Sequence, residues 1–374
     1  MVRNGLILLC LLFFTLSCNE FQEAVRDAKK ESPAPPVDNY IVLLDLSDRI
    51  LYNNQQQVAK DMSVLRTIHS LFIANLNSKD PAHLYYAVND KLKVLIAPQK
   101  TTPRKIYDDA AQLRLELSAE DAMKKATAVE QSQKTFSNVL PELYKQAVIS
   151  NDPADYVGAD IWKYFDEDLA GDIDKEARNT LFIITDGYLD FEKSEDRPVL
   201  ENRFTSCAQL INSLKSHPDW NTKFNEGDYG LMPVGKKFSN LKVVLLEINP
   251  KPEWNGEYKL LTRIWQKWFN EMGIDSCSFI KNDNISEVKE SIEKFMQVKI
   301  SGKVEPATWT YVARKDSSLL ADAIRQPSGE QLMNDPVKKK DEPGSAAQSL
   351  KKNNSVKSRK RKEKDDVSFG PVFK

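Results

Sequence analysis

Polar side chains that could bind a cation follow two apolar runs of this sequence. Asp45 and Ser47 come after the run Tyr-Ile-Val-Leu-Leu, and Thr185 and Asp186 come directly after Leu-Phe-Ile-Ile. Short, nearly unbroken apolar runs are typical of strands that are buried on both faces of a parallel sheet. Ligands of such sheets bind beyond the carboxyl ends of the strands. We therefore expect these four residues to meet at one edge of the sheet, where their oxygens could hold a hard cation.

The order and spacing of these residues resemble the metal-ion-dependent adhesion site of von Willebrand factor A domains. In that family an Asp-x-Ser-x-Ser motif follows the first strand, and an Asp, often within Thr-Asp-Gly, follows the fourth. Asp45, Ser47 and Asp186 match these positions residue by residue. The resemblance covers roughly residues 38–298, and it implies a domain that recognises other proteins at the loop edge above its sheet.

The family also places a Thr on a middle loop, within Gly-Gly-Thr-Asn-Ile. Residues 134–139 of this chain, Lys-Thr-Phe-Ser-Asn-Val, resemble that stretch. The resemblance puts Ser137 at the Thr position, or Thr135 on a shifted alignment.

Arg49 stands where the family has the second Ser of its motif. A guanidinium has five donors and no acceptor, so it cannot bind a metal ion. We predict that Arg49 pairs with Asp45 or Asp186 and replaces the metal, which would make the adhesion site degenerate. The alternative is a working Mg²⁺ site with Arg49 turned outward. A third hypothesis is a domain without any ligand at this edge.

The elements that must position these residues alternate between strands and helices along the chain. Apolar residues recur at spacings of three and four in residues 55–76 and 257–272, residues 104–148 also favour a helix, and Asn284 and Glu287 form a capping-box pattern. This alternation predicts an α/β fold: a three-layer, doubly wound, mostly parallel sheet with helices on both faces. We place this von Willebrand factor A-like domain at residues 39–300.

The first residues predict export and lipid anchoring. Arg3 precedes a short apolar stretch, residues 6–14, and Ser17 directly precedes Cys18. This is the pattern of a signal peptide, residues 1–17, and its end resembles a bacterial lipobox in which Cys18 is acylated, for example with palmitate. A plain cleaved signal is the alternative. Residues 18–38 would form a tether, and the protein would be a lipoprotein of the cell membrane or outer membrane, periplasmic or surface-exposed.

The charge of the chain is balanced overall but not at its end. The sequence has 53 basic and 54 acidic residues among 374, so it gives no global attraction to nucleic acid, and no nucleic-acid partner is expected. After an extension at residues 301–336, residues 337–374 form a polar tail in which 12 Lys or Arg face 5 Asp or Glu. This composition favours disorder and contact with an anionic lipid or polymer.

Together these features predict a membrane-anchored protein-binding module, an adhesion or scaffold part of the cell envelope, with envelope proteins as partners. No cofactor is expected, and Mg²⁺ binding is the alternative. A hydrolase or phosphotransferase is disfavoured because position 47 is Ser rather than a second Asp. No nucleophile elbow, P-loop or His base occurs near either motif, so we predict that the chain is not an enzyme.

Overall fold

The structure, a computed structural model, describes residues 34–99, 102–156, 158–191 and 200–300. The predicted signal peptide, Cys18, the extension and the basic tail lie outside the described residues.

A six-stranded sheet forms the centre of the described part of the chain. The strands in chain order are β1 (Asp38–Leu44), β2 (Lys91–Ile96), β3 (Leu115–Glu116), β4 (Arg178–Ile184), β5 (Arg203–Phe204), β6 (Gly230–Leu231), β7 (Leu241–Ile248) and β8 (Ser276–Lys281). The spatial order in the large sheet is β3-β2-β1-β4-β7-β8, and β5 pairs with β6 in a separate two-stranded sheet. All neighbours in the large sheet are parallel except β2 and β3.

β1 shows why the sheet needs helices on both sides. Tyr40, Val42 and Leu44 pack into one apolar core, and Ile41 and Leu43 pack into a second core on the opposite face. Successive side chains of a strand point to opposite faces, so an unbroken apolar strand must be covered on both.

Helices cover both faces. In chain order they are α1 (Gln55–Lys79), α2 (Arg104–Gln112), α3 (Lys125–Ala147), α4 (Ile161–Lys163), α5 (Leu169–Asp172), α6 (Cys207–Leu214), α7 (Trp220–Glu226), α8 (Glu257–Glu271) and α9 (Ile285–Met296). A π-helical turn, Tyr164–Asp168, joins α4 to α5. Apolar residues of α1, α2, α3 and α9 build the core on the Val42 face, and those of α4 to α8 build the core on the Leu43 face.

The predicted fold class is therefore confirmed: the domain is an α/β protein with a mostly parallel sheet between helical layers. The predicted N-cap is also present, since the Asn284 side chain accepts hydrogen bonds from the main-chain N–H groups of Ser286 and Glu287 at the start of α9. The Glu287 carboxylate accepts from the Asn284 side-chain amide rather than from its main-chain N–H, so the predicted capping box is formed only in part. The prediction of a helical segment at residues 104–148 was too simple, because these residues form two helices with the short strand β3 between them.

Candidate functional site

Asp45 and Thr185 meet at the carboxyl ends of the neighbouring strands β1 and β4. The Thr185 hydroxyl donates a hydrogen bond of 2.7 Å to Asp45 Oδ2, and the Ser47 main-chain N–H donates one of 3.0 Å to Asp45 Oδ1. Asp45 and Thr185 are both buried. The parallel register of β1 and β4 brings Leu44 beside Ile184, so the residues that follow them end at the same level of the sheet.

Asp186 follows Thr185 and carries a perturbed carboxyl group. Its Oδ1 accepts a 3.0 Å hydrogen bond from the Tyr188 main-chain N–H, across a tight turn in which Gly187 has a φ of +94°. Burial, and after it the charge of Asp45, raises the pKa of Asp186 to about 6. The two carboxyl groups therefore repel each other through a poorly solvated space.

The exposed part of this edge is the turn after Asp45. Ser47 is half-buried, and Asp48 is exposed at the start of a short 3₁₀ turn, Asp48–Ile50. Partial burial and the nearby Asp45 charge raise the pKa of Asp48. We call Asp45, Ser47, Asp48, Thr185 and Asp186 the acidic edge.

The predicted partner of Arg49 was wrong. Its guanidinium turns into the core and binds Asp61 of α1 with both ends, Nη1 at 2.6 Å from Oδ2 and Nη2 at 2.9 Å from Oδ1. Arg49 touches Asp45 only through a 3.3 Å hydrogen bond to the main-chain carbonyl. The physical reason is that the 3₁₀ turn breaks the extended geometry that would have kept residues 45, 47 and 49 on one side.

The Arg49–Asp61 pair belongs to a buried polar cluster. The Tyr144 hydroxyl donates to Asp61 Oδ2 at 3.1 Å, and Gln57 Nε2 donates to Asp61 Oδ1 at 2.9 Å. Burial alone would lower the pKa of Arg49, but the charge and hydrogen bonds of Asp61 outweigh it and raise that pKa above its ordinary value. The Arg49 guanidinium is thus paired in the core, and its charge lowers the pKa of Asp186 less than burial and the Asp45 charge raise it.

Glu247 completes the cluster from strand β7. Gln57 Nε2 also donates to its carboxylate, at 3.2 Å. Glu247 has a φ of +67°, and the pairing of β7 with β8 is irregular between Leu245 and Ile248. Burial, followed by the charge of Asp61, raises the pKa of Glu247 to about 7. A buried carboxyl group on a left-handed bulge is a strained feature of a kind that clusters at functional sites.

The middle-loop prediction was also wrong. Ser137 and Thr135 lie inside the helix α3, where the Ser137 hydroxyl is exposed and donates to the Gln133 carbonyl at 2.9 Å. The apolar stripe of that helix, which includes Val129, Phe136 and Leu140, overrides the loop resemblance because it is buried in the core. Neither residue is brought to the acidic edge.

The oxygen donors at the acidic edge fit Mg²⁺ only in part. Asp45, Ser47, Thr185 and Asp186 are present, but both Asp45 oxygens already accept hydrogen bonds. Mg²⁺ demands near-octahedral coordination and usually keeps several water ligands. A site with few protein ligands is therefore consistent with Mg²⁺ binding. Within the described ranges, no group of three or more His, Cys, Asp or Glu side chains is placed to hold a metal ion.

Sequence reasoning missed Asp61, Gln57, Tyr144 and Glu247. A signal for two of them was present: Asp61 interrupts the apolar stripe of α1, and Glu247 is the acidic residue inside an otherwise apolar strand end. Charged residues are almost never fully buried unless they are paired, so each of these positions indicates a partner.

The histidines lie apart from the acidic edge. His69 is buried beside Ser132, His83 is bonded to Asn77, and His217 contacts Lys223. Among the helices within the described ranges, none combines the length and the apolar composition that a membrane-spanning segment requires.

No protein-family model matches this sequence, and a comparison with curated proteins finds no match either.

Proposed function

We propose that this chain is a membrane-anchored protein-binding module of the bacterial cell envelope, and that the acidic edge is its recognition surface. The proposal rests on the resemblance of Asp45, Ser47 and Asp186 to the von Willebrand factor A adhesion motif. The observation that carries it is the 2.7 Å hydrogen bond between Thr185 and Asp45, which joins the two halves of that motif at the ends of neighbouring strands.

The charge of the acidic edge defines the chemistry of the partner. Asp45 and Asp186 repel each other, and the Arg49 guanidinium pairs with Asp61. A basic side chain from a partner protein would relieve this repulsion and form charge-assisted hydrogen bonds with the carboxylates. The partner is therefore an envelope protein that presents Lys or Arg to the exposed turn at Asp48.

The proposal is tested by crosslinking the tagged full chain in an envelope extract. Asp48→Lys reverses the charge of the acidic edge at an exposed position, and it should abolish capture of the main partner. Asp219→Lys makes the same change at an exposed site at the start of α7 and serves as the matched control. Equal capture by both variants would contradict recognition at this edge.

A second candidate function is Mg²⁺-dependent recognition at the same edge. The observation that favours it is the pairing of the Arg49 guanidinium with the Asp61 carboxylate, which leaves the side-chain oxygens of Asp45 and Asp186 without an ion pair to Arg49. Isothermal titration of the full chain with MgCl₂ separates the two candidates. Binding in the wild type that is lost in Asp186→Asn would support the metal-dependent form, and partner capture that survives chelation would support the metal-free form.

A further inference from the structure

The strand β8 ends the large sheet on the side opposite β3. It pairs with β7 on one side, and no strand of the described chain pairs with its other side. Of its six residues, three are half-buried, two are exposed and only Ile280 is buried. The flanking helices α8 and α9 thus leave the free side of β8 open to solvent. We call this free side, residues 275–281, the β8 edge.

The main-chain groups of Cys277 and Phe279 point outward at the β8 edge. The Asn282 N–H donates to the Ile248 carbonyl of β7 at 3.0 Å, so residue 282 faces the sheet. The irregular pairing places its additional residue in β7, so β8 keeps a regular alternation and its odd-numbered residues face away from β7. The Tyr258 hydroxyl of α8 supports this direction, because it donates to the Phe279 carbonyl at 3.3 Å.

Three of these outward groups have no hydrogen-bond partner within the described ranges: the Cys277 N–H, the Cys277 carbonyl and the Phe279 N–H. The Phe279 carbonyl can accept a second hydrogen bond, because a carbonyl oxygen has two lone pairs. Cys277 and Phe279 are half-buried rather than buried, so an approaching main chain can reach them. An edge strand of this kind is a template for pairing with another chain.

The two ends of the β8 edge carry opposite charges. Asp275 directly precedes β8, Lys281 ends it, and both residues are exposed. Within the described ranges neither side chain forms an ion pair, and the Lys281 ammonium lies over the Tyr258 ring, 4.2 Å from its centroid. An antiparallel neighbour with the same sequence would present its own charges in the reverse order.

A second copy of this chain would match the β8 edge in an antiparallel register centred on Ser278. Cys277 of one copy would oppose Phe279 of the other, and Asp275 would oppose Lys281. Both pairs join outward-facing residues, as the hydrogen-bonded pairs of antiparallel strands require. The two Ser278 residues would face each other across the two-fold axis. A parallel arrangement in register would instead bring like charges together, which is destabilising.

We propose that this protein forms a two-fold symmetric dimer in which the β8 edges of two copies join their large sheets into one continuous sheet. The outward main-chain groups of Cys277 and Phe279 pair across the interface, and Asp275 of each copy forms an ion pair with Lys281 of the other. The interface uses the same surface of both copies, so it closes as a dimer and does not extend into a fibre. The dimer does not depend on the function proposed for the acidic edge.

Sedimentation equilibrium of the full chain, over a range of protein concentrations, measures the dissociation constant of the dimer. Asp275→Lys should weaken dimerisation about tenfold, because both symmetry-related ion pairs become repulsive. The double variant Asp275→Lys, Lys281→Asp should restore the wild-type affinity, since it exchanges the two charges and keeps their attraction. Asp219→Lys makes the same change at an exposed site at the start of α7, and as the matched control it should dimerise like the wild type.

A cysteine at the two-fold axis tests the register. In a Cys277→Ser background, Ser278→Cys places two thiols opposite each other in a non-hydrogen-bonded pair, with Cα atoms about 4.5 Å apart. A disulfide spans this distance, so mild oxidation should crosslink the variant into a dimer. Ser276→Cys in the same background is the control. The symmetry separates its two thiols by ~13 Å along the strands, so this control should stay uncrosslinked.

The thermal unfolding curve of each charge variant should match that of the wild type, because both positions are exposed. A loss of dimer then reports on the β8 edge and not on folding. A full chain that stays monomeric at every concentration, as it would if a different polypeptide occupied the edge, would overturn the proposal. So would wild-type dimerisation of Asp275→Lys, or crosslinking of Ser276→Cys without crosslinking of Ser278→Cys.

Discussion

Arg49 and Asp61 form a buried, two-ended ion pair that ties the turn after β1 to the helix α1. The two hydrogen bonds measure 2.6 and 2.9 Å, and both side chains are almost completely buried. The pair lies directly beneath the acidic edge, because Arg49 also donates to the Asp45 main-chain carbonyl. Arg49, the residue that most clearly departs from the adhesion motif, thus helps to hold the main chain of the acidic edge in place.

Removing one member of this pair should destabilise the domain strongly. Arg49→Ala leaves the Asp61 carboxylate buried without its counter-charge, which costs about 3 to 5 kcal/mol of unfolding free energy. Urea unfolding at pH 7 measures the loss. The double variant Arg49→Met, Asp61→Leu should recover most of the stability, since neither charge then remains. A single variant as stable as the wild type would contradict this role.

Arg49→Ser, which restores the motif at the sequence level, is expected to behave like Arg49→Ala. The hydroxyl is too short to replace the guanidinium at Asp61, so the gain of a family-like ligand comes with an uncompensated buried charge. Urea unfolding at pH 7 should therefore show a loss close to that of Arg49→Ala.

Glu247 should make the domain less stable as the pH rises. Its pKa is raised from 4.5 to about 7 in the folded state, so the folded protein holds a proton that the unfolded chain has released. By linkage, this contribution lowers stability progressively between about pH 4.5 and 7. Glu247→Gln should be more stable than the wild type at pH 8 by about 3 kcal/mol and similar to it at pH 4.

Urea unfolding across this pH range measures the difference between the two proteins. Glu253→Gln removes an exposed carboxylate in the loop after β7 and is the matched control, for which no such pH-dependent gain is expected. Parallel curves for the wild type and Glu247→Gln would show that Glu247 does not titrate in this range.

The helices and strands of the domain could be predicted from the sequence wherever burial of apolar side chains alone decides the structure. The helix stripe containing Val58, Met62 and Leu65 predicted α1, and the apolar run before Asp45 predicted β1, because burial of apolar surface dominates both. The short strand β3 could not be predicted, since two residues carry no periodic signal and their pairing depends on residues of β2 that are distant in the sequence.

The acidic edge could be predicted only in part, for a similar reason. Asp45 and Thr185 meet because they end neighbouring strands, and strand ends are readable from the apolar runs. Where Arg49 points depends on a three-residue 3₁₀ turn and on Asp61, twelve residues further on. The interrupted apolar stripe of α1 indicates that Asp61 needs a partner, but the spacing around Arg49 does not show that Arg49 is that partner.

The two cysteines in the described domain should differ in reactivity. Both are free; Cys207 is buried and Cys277 is half-buried. Burial raises the pKa of the Cys207 thiol to about 12, so almost no thiolate forms at pH 8. A chromogenic disulfide reagent should therefore label Cys277 first in the native protein. Cys277→Ser should remove this phase and Cys207→Ala should keep it; the reverse result would contradict the assignment.

Cys18 should anchor the protein to a membrane. The charged start, the apolar stretch and the Ser17-Cys18 junction predict an acylated mature N-terminus, and two or more acyl chains hold a protein stably at a bilayer. Cys18→Ala should release the chain from the membrane fraction or stall its processing, while Cys10→Ala, inside the predicted signal peptide, should leave fractionation unchanged. Normal maturation and membrane retention of Cys18→Ala would exclude the lipid anchor.

Partner binding at the acidic edge should weaken in mild acid. Asp186 has a pKa of about 6, so its carboxylate is ionised above that pH and protonated below it. As the pH falls, protonation removes the negative charge of Asp186. A basic partner group is then attracted by one carboxylate of the pair instead of two. Crosslinked partner should decrease between pH 7.5 and pH 5.0, which lie about one and a half units above and one unit below that pKa. Asp186→Asn should capture less partner at pH 7.5 and show little further change on acidification, whereas Asp219→Asn should follow the wild type. A wild-type yield that stays constant across the range, with Asp186→Asn equally active, would place recognition away from this carboxylate pair.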